Sequence, residues 1–113
     1  MFERTAAYLN PETVVAYLRT IAELGTDVLN GLLKPEALTG TGEQLADTVH
    51  KLAGSASLFG FERLAAICRR FEYAVQAGAP ETPALAEELQ MTIAATHVEI
   101  DATISRTTKV LSR

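Results

Sequence analysis

Apolar residues recur along this chain at steps of three and four, the spacing that gathers side chains on one face of an α-helix, and they trace four stripes. The first runs through Leu18, Ile21, Val28 and Leu32. Asn10 is placed to cap it, Pro11 suits the first helical position, and Glu12 complements the positive end of the helix dipole. This helix is expected to stop near Leu33, because Lys34 precedes Pro35 and a residue before proline resists the α conformation. Gly25 and Gly31 weaken its second half. Beyond a connection rich in threonine and glycine, Thr41 with Gln44 predicts a capping box for a second helix, whose core stripe is Leu45, Val49, Leu52, Ala56 and Phe59. Gly60 is placed to end that helix in a left-handed turn. Phe61, Leu64, Cys68, Phe71 and Val75 then carry a third helix, closed by Gly78 and Pro80. A fourth opens at Thr82-Pro83 and continues through Leu85, Leu89, Ile93, Ile100, Ile104 and Leu111. It is the longest, roughly 28 residues or about 42 Å.

Nothing in the chain reads as a strand, and short links between successive amphipathic helices make antiparallel neighbours. The expected fold is all-α, an antiparallel up-down-up-down four-helix bundle, with Glu3 to Leu9 adding a short helical turn across one end. With 113 residues, 48% of them hydrophobic, the whole of 1–113 is long enough for a single domain with one core. The net charge of -4 offers no basic surface for a phosphate backbone, so nucleic acid is excluded as the expected partner. No run approaches the roughly 18 apolar residues of a membrane span, and the opening MFERTAAYLN lacks a signal-length apolar segment. A cytoplasmic protein that does not engage a membrane is expected. Cys68 is the only cysteine, cannot close an internal disulfide, and falls on the third stripe as a small buried hydrophobe.

The chemistry concentrates in HKLAGSASLFG, residues 50–60. His50 lies about 100° around the helix from the core stripe. It shares a second stripe with Ala46, Ala53, Gly54 and Ser57, which carries almost no bulk. Glycine inside a helix costs about 1 kcal/mol relative to alanine and packs nothing, so Gly54 points to close approach by another surface. His97 is the contrast. It falls at or beside the apolar stripe of the fourth helix, with Thr96 competing for the inward position, and reads as a boundary histidine holding one hydrogen bond. Asp47 and His50 are three apart, but no further ligand accompanies them, so no metal site is expected. Neither a hydrolytic triad around Ser55 or Ser57 nor a glycine-rich phosphate loop is present. From spacing alone two readings of His50 stay open, a solvent-facing side chain and an exposed imidazole acting as nucleophile towards a group carried by another protein.

HKLAGSASLFG followed by FERLAAICRRFE resembles the signature of histidine-containing phosphotransfer domains of bacterial phosphorelays. The matching positions are the histidine, Leu52, Gly54, the small Ser55, Gly60 and a leucine-bearing helix ending in Phe71-Glu72. The resemblance implies that His50 accepts a phosphoryl group from the aspartate of a receiver domain and passes it to another receiver. It implies a carrier without catalytic activity of its own, needing no cofactor beyond magnesium supplied by the receiver. The implied partners are response-regulator receiver domains and a hybrid sensor kinase; a monomer is expected separately, because one domain can bury its four apolar stripes internally. The implied phosphate or receiver contacts are Ala46, Asp47, Lys51, Ala53, Gly54 and Ser57. One position departs from the family pattern: the lysine usual three residues after the histidine is Ala53 here, and the nearest lysine, Lys51, points about 100° away from His50. Arg63, Arg69 and Arg70 are either solvated charges or cations for a receiver's acidic rim. The rival reading is an unphosphorylated adaptor bundle that docks on a receiver or kinase through the same small-residue face. The dimerisation domain of a sensor kinase is disfavoured, because the arginine-and-proline motif usual after its histidine is missing.

Overall fold

The computed structural model describes residues 10–32 and 43–111. They form four helices, α1 (Pro11–Leu32), α2 (Glu43–Leu58), α3 (Glu62–Ala77) and α4 (Thr82–Leu111). At 30 residues, α4 extends for about 45 Å. Each helix packs on its neighbours in sequence, and α4 closes the ring against α1. Because residues 59–61 and 78–81 are all that separate α2 from α3 and α3 from α4, these neighbours run antiparallel. The all-α bundle expected from the stripes is the fold observed.

Local chemistry sets the helix ends as the sequence predicts. Asn10 Oδ1 accepts the Thr13 backbone N–H at 2.7 Å, the N-cap of α1. Gly60 takes a left-handed φ of 80° after α2. The Gly60 N–H donates to Ser57 O at 3.2 Å and the Phe61 N–H to Ala56 O at 2.8 Å, the paired bonds of a Schellman turn. Gly78, at φ 63°, repeats the arrangement at the end of α3. The helical turn expected over Glu3–Leu9, the stop near Leu33 and the Thr41–Gln44 capping box lie outside the described residues, as does the side chain of Leu111.

All five residues of the predicted α2 stripe are buried, together with Phe61 just before α3 and Leu64, Cys68 and Phe71 within it, while Val75 is partly covered. On α4 the core residues are Leu85, Leu89, Ile93 and Ile100, while Ile104 is only partly covered. Thr96 takes the inward place between them, and its hydroxyl donates to Thr92 O at 2.8 Å, so its burial leaves no donor unmatched. His97 is half-buried, with Nε2 3.0 Å from the Ala22 carbonyl of α1. It is the boundary histidine with one hydrogen bond that its register predicts. Room for it comes from Gly25, where an added Cβ would lie 2.8 Å from His97 Nε2 and 3.1 Å from Ile93 Cγ2.

Candidate functional site

The second stripe of α2 faces solvent for most of its length, and His50 stands on it with 74% of its side chain exposed. Gly54, one turn along, is exposed, and a Cβ added there would meet nothing within 4 Å. Ser57 is exposed and Ala46 half-buried. Ala53 departs from the expectation. It is 3% exposed and belongs to the core, because α3 closes over that edge of α2. The bare surface around His50 therefore consists of Gly54 and Ser57, with Ala53 as its floor.

Lys51 and Asp47 pair with each other, Nζ to Oδ2 at 3.6 Å, one turn apart on the exposed side of α2. That contact occupies the nearest ammonium with a carboxylate of its own helix. Both partners are well solvated, at 65% and 70% side-chain exposure, so the pair contributes little stability.

A residue quoted in the sequence motif but given no role there supplies the closest contact to His50. Glu72 of α3 places Oε1 3.2 Å and Oε2 3.5 Å from His50 Nδ1. A carboxylate accepts hydrogen bonds, so in the neutral ring Nδ1 carries the proton and donates it to Glu72. The lone pair then belongs to Nε2, on the far side of an exposed ring. Glu72 itself is 21% exposed at its side chain, held at the α2–α3 seam beside the buried Phe71. The signal for this contact was present but indirect. Glu72 lies one residue off the α3 core stripe, just as His50 lies one residue beyond Val49, and a tight antiparallel hairpin brings such edges face to face.

Leu58, two turns beyond His50, is 62% exposed at the end of the same surface. Tyr17 of α1 is 46% exposed and sets its ring 5.2 Å from that of the buried Phe59. The lower end of the histidine face is thus more apolar than its small residues alone suggest.

A model of the family described as Hpt domain matches residues 12–99, a span that runs from the first turn of α1 well into α4 and contains both His50 and Glu72. The chain belongs to the Hpt domain family. No curated protein and no solved structure matches it. Membership places the Hpt domain in phosphotransfer of two-component signalling, a family of phosphocarriers that engage receiver domains and kinases. Among the described residues of the Hpt domain, no cluster of three or more histidine, cysteine or acidic side chains is arranged to hold a metal, and no helix is long and apolar enough to cross a membrane. Its single cysteine is buried, and desolvation, reinforced by the nearby Glu72 charge and opposed by Arg69, pushes the Cys68 thiol up to about 12. A thiol held neutral in this way is packing, not chemistry.

Proposed function

We propose that His50 is the phosphoacceptor, taking a phosphoryl group from the aspartyl phosphate of one receiver domain and delivering it to the aspartate of another. The contact between His50 Nδ1 and Glu72 carries this reading. It leaves Nε2 as the nucleophilic nitrogen. As its lone pair forms the N–P bond, the bond from phosphorus to the aspartyl oxygen breaks and the carboxylate leaves. Positive charge then develops in the ring, and the Glu72 carboxylate faces it across the Nδ1–H. Transfer to the second receiver reverses these bonds. Both steps need the two proteins within bonding distance, and the open space over Gly54 permits that approach.

The receiver supplies magnesium; this chain needs to contribute only a nucleophile and a complementary charge. Lys51 is engaged by Asp47, and the position one turn after His50 holds the buried Ala53. Arg69 is the better placed cation. It is exposed on the edge of α3 that carries Glu72, one turn nearer the Gly60 hairpin, and antiparallel packing sets it level with Ala53. Among the described residues Arg69 has no ion-pair partner, whereas Arg70 is joined to Glu88 at 3.7 Å. Cytoplasmic receivers are the partners this chemistry serves, with a hybrid kinase as the upstream source. The Glu72 contact, which orients Nε2 outward, favours this reading over an adaptor that is never phosphorylated.

The test is transfer itself. Mixed with a phosphorylated receiver and magnesium, the parent is expected to gain an acid-labile, base-stable phosphate, and His50→Gln none. Equal labelling of the His50→Gln variant overturns the assignment.

A further inference from the structure

A phosphoryl group on Nε2 changes what the other ring nitrogen of His50 can carry, and the partner of that nitrogen limits the choice. In the neutral ring Nδ1 holds the proton, with Glu72 Oε1 at 3.2 Å and Oε2 at 3.5 Å to accept it. Once phosphorus is bonded to Nε2, a ring that is to stay uncharged must give up that proton and leave a lone pair on Nδ1. A carboxylate offers only lone pairs in return. Two acceptors then face each other at hydrogen-bond distance, whereas a retained proton sets a cationic donor against an anion, the stronger class of hydrogen bond. Resting on the assignment of His50 as phosphoacceptor, we infer that Glu72 keeps the Nδ1 proton on the phosphorylated ring, so that His50 carries its phosphoryl group as a reactive imidazolium, a short-lived relay and not a store.

The consequence lies in the leaving group. When an oxygen nucleophile, a receiver's aspartate or water, bonds to phosphorus, the P–N bond breaks and its electron pair returns to Nε2. With Nδ1 protonated the departing group is neutral imidazole. Without that proton it is imidazolate, a much stronger base and a much poorer leaving group. Glu72 touches neither the phosphorus nor the nucleophile, so it is a positioning residue that acts through the ring. Loss to water and transfer to a receiver break the same bond, and the retained proton speeds both. The reaction that consumes phosphorylated His50 is therefore prompt transfer to a docked carboxylate.

The other charges around the ring leave this contact to act alone. On α2 the Lys51 ammonium is engaged by Asp47 at 3.6 Å. On α3 Arg69 stands one turn before Glu72, and among the described residues no ion pair joins it to that carboxylate. α1 meets α2 along another edge, through Gly31 beside Leu45 and Tyr17 beside Phe59, and none of its charged side chains pairs with His50. A glutamine in place of Glu72 would behave differently. Its amide oxygen accepts from a protonated Nδ1 and its amide nitrogen donates to an unprotonated one, so it serves both states and selects neither.

The lifetime of the phosphorylated ring tests this. Phosphoramidate, a small donor that phosphorylates imidazole directly, loads the parent, Glu72→Gln and Glu72→Ala, with His50→Gln as the blank that subtracts any label on His97. After the donor is removed, loss of phosphate is followed from about pH 5 to about pH 9, a range that brackets the titration of an ordinary imidazole. At about pH 8 the parent is expected to lose its phosphate at least about threefold faster than either variant, the scale of one charge-assisted hydrogen bond at an exposed ring. Towards about pH 5, where solvent protonates every ring, the three rates are expected to converge. A purely structural role for Glu72 would shift the rates alike at every pH. Nitrogen NMR at about pH 8 is expected to find Nδ1 protonated in the loaded parent and unprotonated in loaded Glu72→Gln. Coincident pH profiles, variants that lose phosphate faster than the parent at about pH 8, or a loaded parent without its Nδ1 proton each overturn the proposal. Those results leave His50 as acceptor untouched, because that assignment fails only on labelling by a phosphorylated receiver.

Discussion

Gly25 and Gly54 occupy helical backbone, and alanine at either position recovers about 1 kcal/mol of helix propensity. Their surroundings make the outcomes diverge. At Gly54 a Cβ meets nothing within 4 Å, so the full gain is expected and Gly54→Ala stabilises by about 1 kcal/mol. At Gly25 the same atom arrives 2.8 Å from His97 Nε2 and 3.1 Å from Ile93 Cγ2. A shift of His97 disturbs its contact with the Ala22 carbonyl, and Ile93 is a core residue, 1% exposed, that must move with it. Overpacking of this kind costs about 1–3 kcal/mol, which cancels or exceeds the propensity gain. The difference between the two variants removes the propensity term altogether. Gly54→Ala should therefore exceed Gly25→Ala in stability by about 1–3 kcal/mol, a separation of about 3–5 °C in Tm per kcal/mol for a domain of this size. Urea unfolding followed by circular dichroism measures it, with a common m-value for both variants. Equal stabilities, or a more stable Gly25→Ala, would refute the account of why glycine stands at each place. Function adds a second contrast, because Gly54→Leu should keep the fold and slow phosphotransfer by obstructing the receiver. Unchanged transfer kinetics in that variant would remove access as the reason for Gly54.

Glu72→Ala should lower the rate of phosphotransfer about tenfold, the loss of one charge-assisted hydrogen bond at a largely exposed ring. Glu72→Gln should fall between that variant and the parent, since its amide oxygen still accepts from Nδ1–H, and an alanine variant as fast as the parent would sink the role given to Glu72. Arg69→Gln should slow transfer and Arg69→Lys recover part of the loss, whereas Lys51→Ala should leave the rate unchanged; the reverse ranking of Arg69 and Lys51 would move the counter-charge back to α2. Cys68 should resist thiol reagents at pH 8 in the folded chain and react at once in urea. The folded thiol keeps its proton to about 12, against 9.0 for an unperturbed one. Between those values the unfolded chain binds fewer protons than the folded chain, so the stability held below pH 9 is lost as pH rises towards 12. Cys68→Ala should flatten that decline in alkaline urea titrations, and an equally steep decline would show that other groups govern it.

What the sequence made legible was local. The α2 stripe from Leu45 to Phe59, the Asn10 cap and the glycine turns at Gly60 and Gly78 follow from spacing and backbone preference within a few residues, and each stands where those rules put it. His97 was readable for the same reason, since one residue of helical phase decides whether a side chain meets a neighbouring carbonyl. Ala53 was misplaced because it sits on the boundary between stripes, and only the approach of α3 determines which side of that boundary is covered. Glu72 went unassigned for a related reason. Its contact with His50 depends on the relative phase of two helices, a quantity that neither helix contains by itself.

The Schellman turn at Gly60 sets α3 against α2. It is a backbone feature with no reactive group, yet it determines how far α3 is rotated when it returns alongside α2. One residue inserted within α3 between Glu62 and Glu72 would turn Glu72 by about 100° about the helix axis and slide it by about 1.5 Å relative to that turn, sending it away from the imidazole. The count of residues from the turn to each group thus acts as the timing of a two-part lock: the nucleophile is coded in one helix, its orienting carboxylate in the next, and their two distances from the turn decide whether they meet.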